Sequence, residues 1–216
     1  MLVAAVVAAV VVTPIAIARA GENDPVRPGT GSASGLQSAR IDMTGATPAL
    51  PRTGDGDAVA GFEGTSVPGL AYCRKYHIMS TATSRYISEE QAYGGNRHNM
   101  LRARTLPIDV GGWEQFEICS NDGGHTVYIM APSGYLVTAD YALGGRDFGM
   151  LRGRGEWVDA WETFDVWSDD GKYYLRNVSK GTYFTCRVDY TGQQYQEMKA
   201  TGTGPGSWEG LLFVPV

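Results

Sequence analysis

The side chains most able to do chemistry in this 216-residue chain are few, and their spacing decides what they can do. Only three histidines occur, His77, His98 and His125. No two stand one helical turn apart with a carboxylate between them, as a metal site on a helix requires. The chain has no Cys-x-x-Cys pair, no Gly-x-Ser-x-Gly elbow and no Gly-Lys-Ser/Thr phosphate cradle; Gly202-Thr203-Gly204-Pro205-Gly206 reads as a loop. Three carboxylates do recur, Glu114, Glu162 and Glu209, each directly after a tryptophan. Glycoside hydrolysis needs two carboxylates in unlike environments, one protonated and one ionised. Positions related by a repeat have like environments, so these three are expected to pair with a neighbouring Arg or with backbone. No catalytic residue, metal or cofactor is expected.

A second set of residues suits binding. Tyr93, Tyr141 and Tyr190 stand beside polar side chains: Asn96 and Arg97, Arg146 and Asp147, Gln193 and Gln194. An aromatic face flanked by hydrogen-bonding groups is what a shallow sugar site needs. Trp113, Trp161 and Trp208 could stack on a sugar too, but each precedes a strand, which predicts a packing role. The formal charge of −5 and pI near 5.2 exclude the basic stripe of a nucleic-acid binder.

These residues sit in a repeat. The Trp-Glu pairs are 48 and 47 residues apart, Tyr86, Tyr135 and Tyr183 are 49 and 48 apart, and Met100, Met150 and Met198 are 50 and 48 apart. Within each unit, short runs rich in aromatic and aliphatic residues alternate with turn residues. Phe116-Glu117-Ile118 and Phe164-Asp165-Val166 alternate apolar and charged, as strands with one buried face do, and Gly94-Gly95 and Gly144-Gly145 mark reversals. Each unit reads as four strands. Twelve strands in three pseudo-symmetric units predict an all-β domain, a β-trefoil, over residues 71–216; a three-bladed propeller would fall below the usual blade number.

A Gly-x-Tyr-Leu opening, a Gly-bearing hairpin, an apolar-Lys/Arg-Ala third strand and a closing Trp-Glu-x-Phe resemble the repeats of fascin-like β-trefoil domains. The third unit departs from that pattern, with Leu211 in place of the Phe. The resemblance implies a fold and a binding habit. Bundling of actin, which uses trefoils in tandem, is not implied for one trefoil. The reading is a non-catalytic binding module for an extracellular glycan, with a cell-surface protein as the alternative partner and an inhibitor-type role as the alternative function.

The trefoil also predicts a disulfide. Cys73 opens the first strand of the domain and Cys119 ends the last strand of the first unit; as antiparallel neighbours they would meet, leaving Cys186 as a buried thiol. Ahead of the domain, Leu2 to Ala18 is almost wholly apolar and ends in Ala18-Arg19-Ala20, as in a signal peptide cut after Ala20. The mature protein is then expected outside the cell with no stable membrane span. Residues 21–70, rich in Gly, Pro, Ser and Thr with no sustained apolar period, are expected to form a flexible tether.

Overall fold

The computed structural model describes residues 35–48 and 71–216; the signal-peptide segment and the rest of the expected tether lie outside the described residues. Two short strands come first, β1 (Gln37–Ser38) and β2 (Thr47–Pro48). Unit 1 holds β3 (Tyr72–Ser80), β4 (Arg85–Glu90), β5 (Met100–Thr105) and β6 (Gln115–Ser120). Unit 2 holds β7 (Thr126–Met130), β8 (Leu136–Asp140), β9 (Met150–Gly155) and β10 (Thr163–Asp169). Unit 3 holds β11 (Lys172–Asn177), β12 (Tyr183–Arg187), β13 (Glu197–Gly202) and β14 (Leu211–Pro215).

The first and last strands of the units form a six-stranded antiparallel barrel. Its ring runs β3–β6–β7–β10–β11–β14 and closes where β14 pairs with β3, Leu211 opposite Ser80. The hairpins β4–β5, β8–β9 and β12–β13 cap one end, their third strands pairing around a triangle. This is a β-trefoil. Alternation places Phe116, Ile118, Phe164 and Val166 inside, and Phe184 reaches Phe164 edge-to-face at 4.8 Å. No unit can cover its own apolar face, so the three bury it jointly.

Threefold equivalence is fixed by register. Tyr86 faces Thr105, Leu136 faces Gly155 and Tyr183 faces Gly202, with a bulge after each. Each hairpin then reverses through a 3₁₀ turn opened by Gly95, Gly145 or Gly192, whose φ values of 62, 58 and 64° are left-handed and favour glycine. Two of the expected repeat anchors slip by one residue against this frame. Leu136, not Tyr135, matches Tyr86 and Tyr183, and Glu197, not Met198, matches Met100 and Met150.

Cys73 and Cys119 stand directly opposite in β3 and β6 and are joined, while Cys186 is a free, fully buried thiol. Burial pushes that thiol up to about 12, so it stays protonated.

Residues 35–48 correct the tether expected there. β1 pairs with β10, β2 pairs with β3, and Ile41 enters the core with 2% exposure. The Asp42 carbonyl accepts the Tyr76 hydroxyl, and its carboxylate pairs with Arg74 at 2.9 Å. A polar stretch can therefore dock on one buried isoleucine, flanked by Ala39 and Met43 against the core, plus borrowed backbone bonds. Ile41→Ala should lower unfolding free energy by about 2 kcal/mol in urea titrations. A loss below about 0.5 kcal/mol would show that the arm is not part of the cooperative fold.

Candidate functional site

The 3₁₀ turns bring the predicted polar residues together at the cap, where most of them join the units to one another. Arg102 of unit 1 donates to the Tyr195 carbonyl of unit 3 at 2.9 Å, and Arg152 of unit 2 donates to the Asn96 carbonyl of unit 1 at 2.8 Å. Lys199 of unit 3 donates to the Arg146 carbonyl of unit 2, which closes the cycle. Each third strand thus uses its basic residue to staple a neighbouring turn. Arg97 donates to Gln193 at 2.8 Å, Gln194 donates to Asp147 at 2.8 Å, and the Tyr93 hydroxyl accepts from Arg102 at 2.8 Å. The charge-assisted members are the stronger of these bonds.

The three tyrosines are not equivalent. Tyr93 and Tyr190 each lie two residues before the turn glycine; the unit 2 match is Leu143. Tyr141 directly follows its strand, where units 1 and 3 carry Gln91 and Val188. It is buried to 8% exposure, its hydroxyl bonds Thr182 at 2.8 Å and Asn177 at 3.2 Å, and its ring meets Trp161 at 5.8 Å and Phe148 at 5.4 Å. Tyr141 is therefore packing, not a platform for a ligand. Tyr190 has Arg146 at 4.0 Å and Arg187 at 4.1 Å from its ring centroid, so cations already occupy it and it offers an edge.

In unit 3, with Val188 where unit 2 has Tyr141, a cleft of about 570 Å³ remains open between the hairpin and Trp208. Tyr195, 46% exposed, and Trp208 give it aromatic walls, and Asp189 and Thr191 add polar atoms. Asp189 accepts from Arg187 at 2.7 Å, and despite its burial that guanidinium holds the carboxyl below its ordinary range. The cleft is thus nearly neutral and lined by rings. Asp189 and Tyr195 were not singled out by sequence reasoning, and Trp208 was assigned to packing; the signal for Tyr195 was an aromatic retained at positions 98, 148 and 195.

The repeated glutamates are buried and satisfied. Glu162 accepts from Thr138 at 2.8 Å and the Asp159 amide at 3.3 Å, and Glu209 accepts from Thr185 at 3.0 Å. Glu114 accepts from the Gly111 amide at 2.8 Å but takes its hydroxyl from Thr105, on the opposite strand, at 2.9 Å. Gly155 and Gly202 occupy the Thr105 position in the other units, where an added Cβ would meet the Thr hydroxyl at 2.8 and 2.6 Å. Each of the three thus accepts a threonine hydroxyl, and Glu114 and Glu162 accept a backbone amide as well. The tryptophans vary more than a packing role predicts: Trp161 and Trp208 are half-buried, but Trp113 is 49% exposed. Asn177, in the sequon Asn177-Val178-Ser179, is fully buried with its amide donating to the carbonyls of Ala160 and Trp161 at 3.0 and 3.1 Å. It offers no free acceptor for a glycan.

No family model and no curated protein matches the chain. Solved structures do match. A designed threefold-symmetric protein, ThreeFoil, aligns over 66% of this chain and 99% of its own, with TM-score 0.53 and 14% identity. A GlcNAcα1-4Gal-releasing endo-β-galactosidase from Clostridium perfringens aligns over 66% of this chain at TM-score 0.52 and 11% identity. A Polyporus squamosus lectin bound to a human-type influenza-binding epitope, Neu5Acα2-6Galβ1-4GlcNAc, aligns over 65% at TM-score 0.51 and 10% identity. The chain spans 32% of the galactosidase and 48% of the lectin. At these identities the likeness is one of fold.

Proposed function

We propose that this protein is a non-catalytic carbohydrate-binding module acting outside the cell, a single trefoil of the fascin-like type, with its sugar site in the unit 3 cleft. The open cleft bounded by Trp208, Tyr195 and Asp189 carries the reading. Ring faces suit the C–H face of a hexose, and the carboxylate suits its hydroxyls. With Asp189 matched by Arg187, the ligand is a neutral sugar. Trefoils similar to this one occur in a lectin and within a galactosidase, which supports the same reading. Each repeated glutamate accepts a threonine hydroxyl within its own unit, which supports a framework role for them.

Unit 2 supplies the test. Val188→Tyr should fill the cleft as Tyr141 fills its own lobe, and Trp208→Ala should remove one wall. On an array of neutral glycans, the full-length chain should retain specific sugars, and each variant should lose about tenfold or more in affinity for them. Undiminished binding by both variants, or a flat array for the parent, overturns the assignment.

A further inference from the structure

A second depression, of about 360 Å³, lies in unit 2 on the loop between β9 and β10, away from the unit 3 cleft. Its floor is shared framework: Thr138, Glu162 and Trp161. Its rim is unit-specific. Asp159 stands where units 1 and 3 have Gly111 and Gly206, an equivalence fixed by the amides of Glu162, Glu114 and Glu209 donating to those three carbonyls. Trp157 stands 67% exposed at the edge, and Glu156 beside it makes no hydrogen bond or ion pair among the described residues. One Asp159 oxygen accepts the Ala160 amide at 2.6 Å and the other is free. Arg154 also borders the depression, but its guanidinium is tied to Asp140 at 2.5 Å.

An exposed indole face, a second half-buried indole and two carboxylates with free acceptor oxygens describe a cation site with a stacking wall. Burial above all, with a smaller part from the Asp159 charge, holds the Glu162 carboxyl above its ordinary range. The free carboxylate oxygens favour a cation with N–H donors over a methylated one, which has none to give. The broad Trp157 face favours a ring over a lysine side chain.

We propose that the unit 2 depression is a separate binding site for a protonated amino sugar, its ammonium on Asp159 and Glu156 and its ring face on Trp157. The site stands apart from the neutral-sugar cleft, so the test is run in the Val188→Tyr and Trp208→Ala backgrounds, where that cleft is disabled. The probe is the glucosamine tetramer at pH 6 and low salt, followed by calorimetry. Saturable binding is expected in both backgrounds. The N-acetylated tetramer, which lacks the charge, should bind about tenfold more weakly or worse, and Trp157→Ala or Asp159→Gly should each reduce affinity about tenfold. Trp157 and Asp159 are exposed loop residues, so these changes leave the core intact. Equal binding of both tetramers overturns the proposal, as does no binding, or binding that survives both substitutions. Tighter binding of choline or of lysine methyl ester than of glucosamine overturns the assignment to a sugar.

Discussion

Replacing Cys73 and Cys119 together by alanine should lower the unfolding free energy by ~4 kcal/mol. The bridge closes a loop with a sequence separation of 46, and the chain entropy it removes from the unfolded state is of that order. Its position adds to the expectation. β14 pairs only with Tyr76 to Ser80 of β3, so the first residues of β3 have β6 and the two-residue β2 as their strand partners. The disulfide pins an end of the barrel strand that β14 does not reach. It also holds the residue against which Thr47 of the arm pairs. Guanidinium titration of the oxidised parent and the double variant gives the difference directly. In heat scans it should appear as a midpoint lowered by roughly 10 °C. A difference below about 1 kcal/mol would mean that the strand end is held by its hydrogen bonds alone.

This bridge was legible because it follows from strand direction, which the repeat order dictates. The period was legible for the same reason: the Trp-Glu pairs fall at identical structural positions. The one-residue slips were not. Matching tyrosine to tyrosine paired Tyr135 with Tyr86, whereas the ladder pairs Leu136 with it, because the bulge after each of these positions lets residue type drift against register. The same blindness made Tyr141 look like Tyr93 and Tyr190. It stands two residues earlier, and only its contacts with Trp161 and Phe148 reveal a plug. The arm was illegible because a single isoleucine in a polar stretch has no period to read. The candidate sites followed a rule the repeat suggests, that binding lies where units differ. The differences that matter are Val188 against Tyr141 and Asp159 against two glycines, and each is visible only once the register is known.

Register also exposes the most unusual group in the cap. Glu197 occupies the position of Met100 and Met150, all three being fully buried where the third strands converge. Neither of its carboxylate oxygens has a hydrogen-bond partner among the described residues. Lys199, two residues on, donates instead to the Arg146 carbonyl, and Asp147 adds a like charge. The other groups facing it are Arg187, Arg97 and Tyr190, with Gln194 beside them and Arg146 and Asp189 one contact further out, on Lys199 and Arg187. Burial is the main cause of the carboxyl rising from 4.5 to about 7, with Lys199 opposing. A buried carboxyl without a donor is favoured in its protonated form.

The consequence has a definite sign. Between 4.5 and about 7 the folded chain holds a proton on Glu197 that the unfolded chain releases, so stability falls as pH rises through that window. Below 4.5 both states are protonated and the contribution is fully present; above 7 it is lost, a change of about 3 kcal/mol. Glu197→Met, which installs the residue of units 1 and 2, should abolish this dependence. Urea titrations at pH 5 and pH 8 should show the variant gaining about 2.5 kcal/mol on the parent between the two conditions, part of the change being already complete at pH 5. The other titrating groups are common to both proteins and cancel in the comparison. Parallel stability curves would show that Glu197 is ionised and paired with Lys199 throughout, and the cap would then rest on a buried ion pair rather than on a neutral acid.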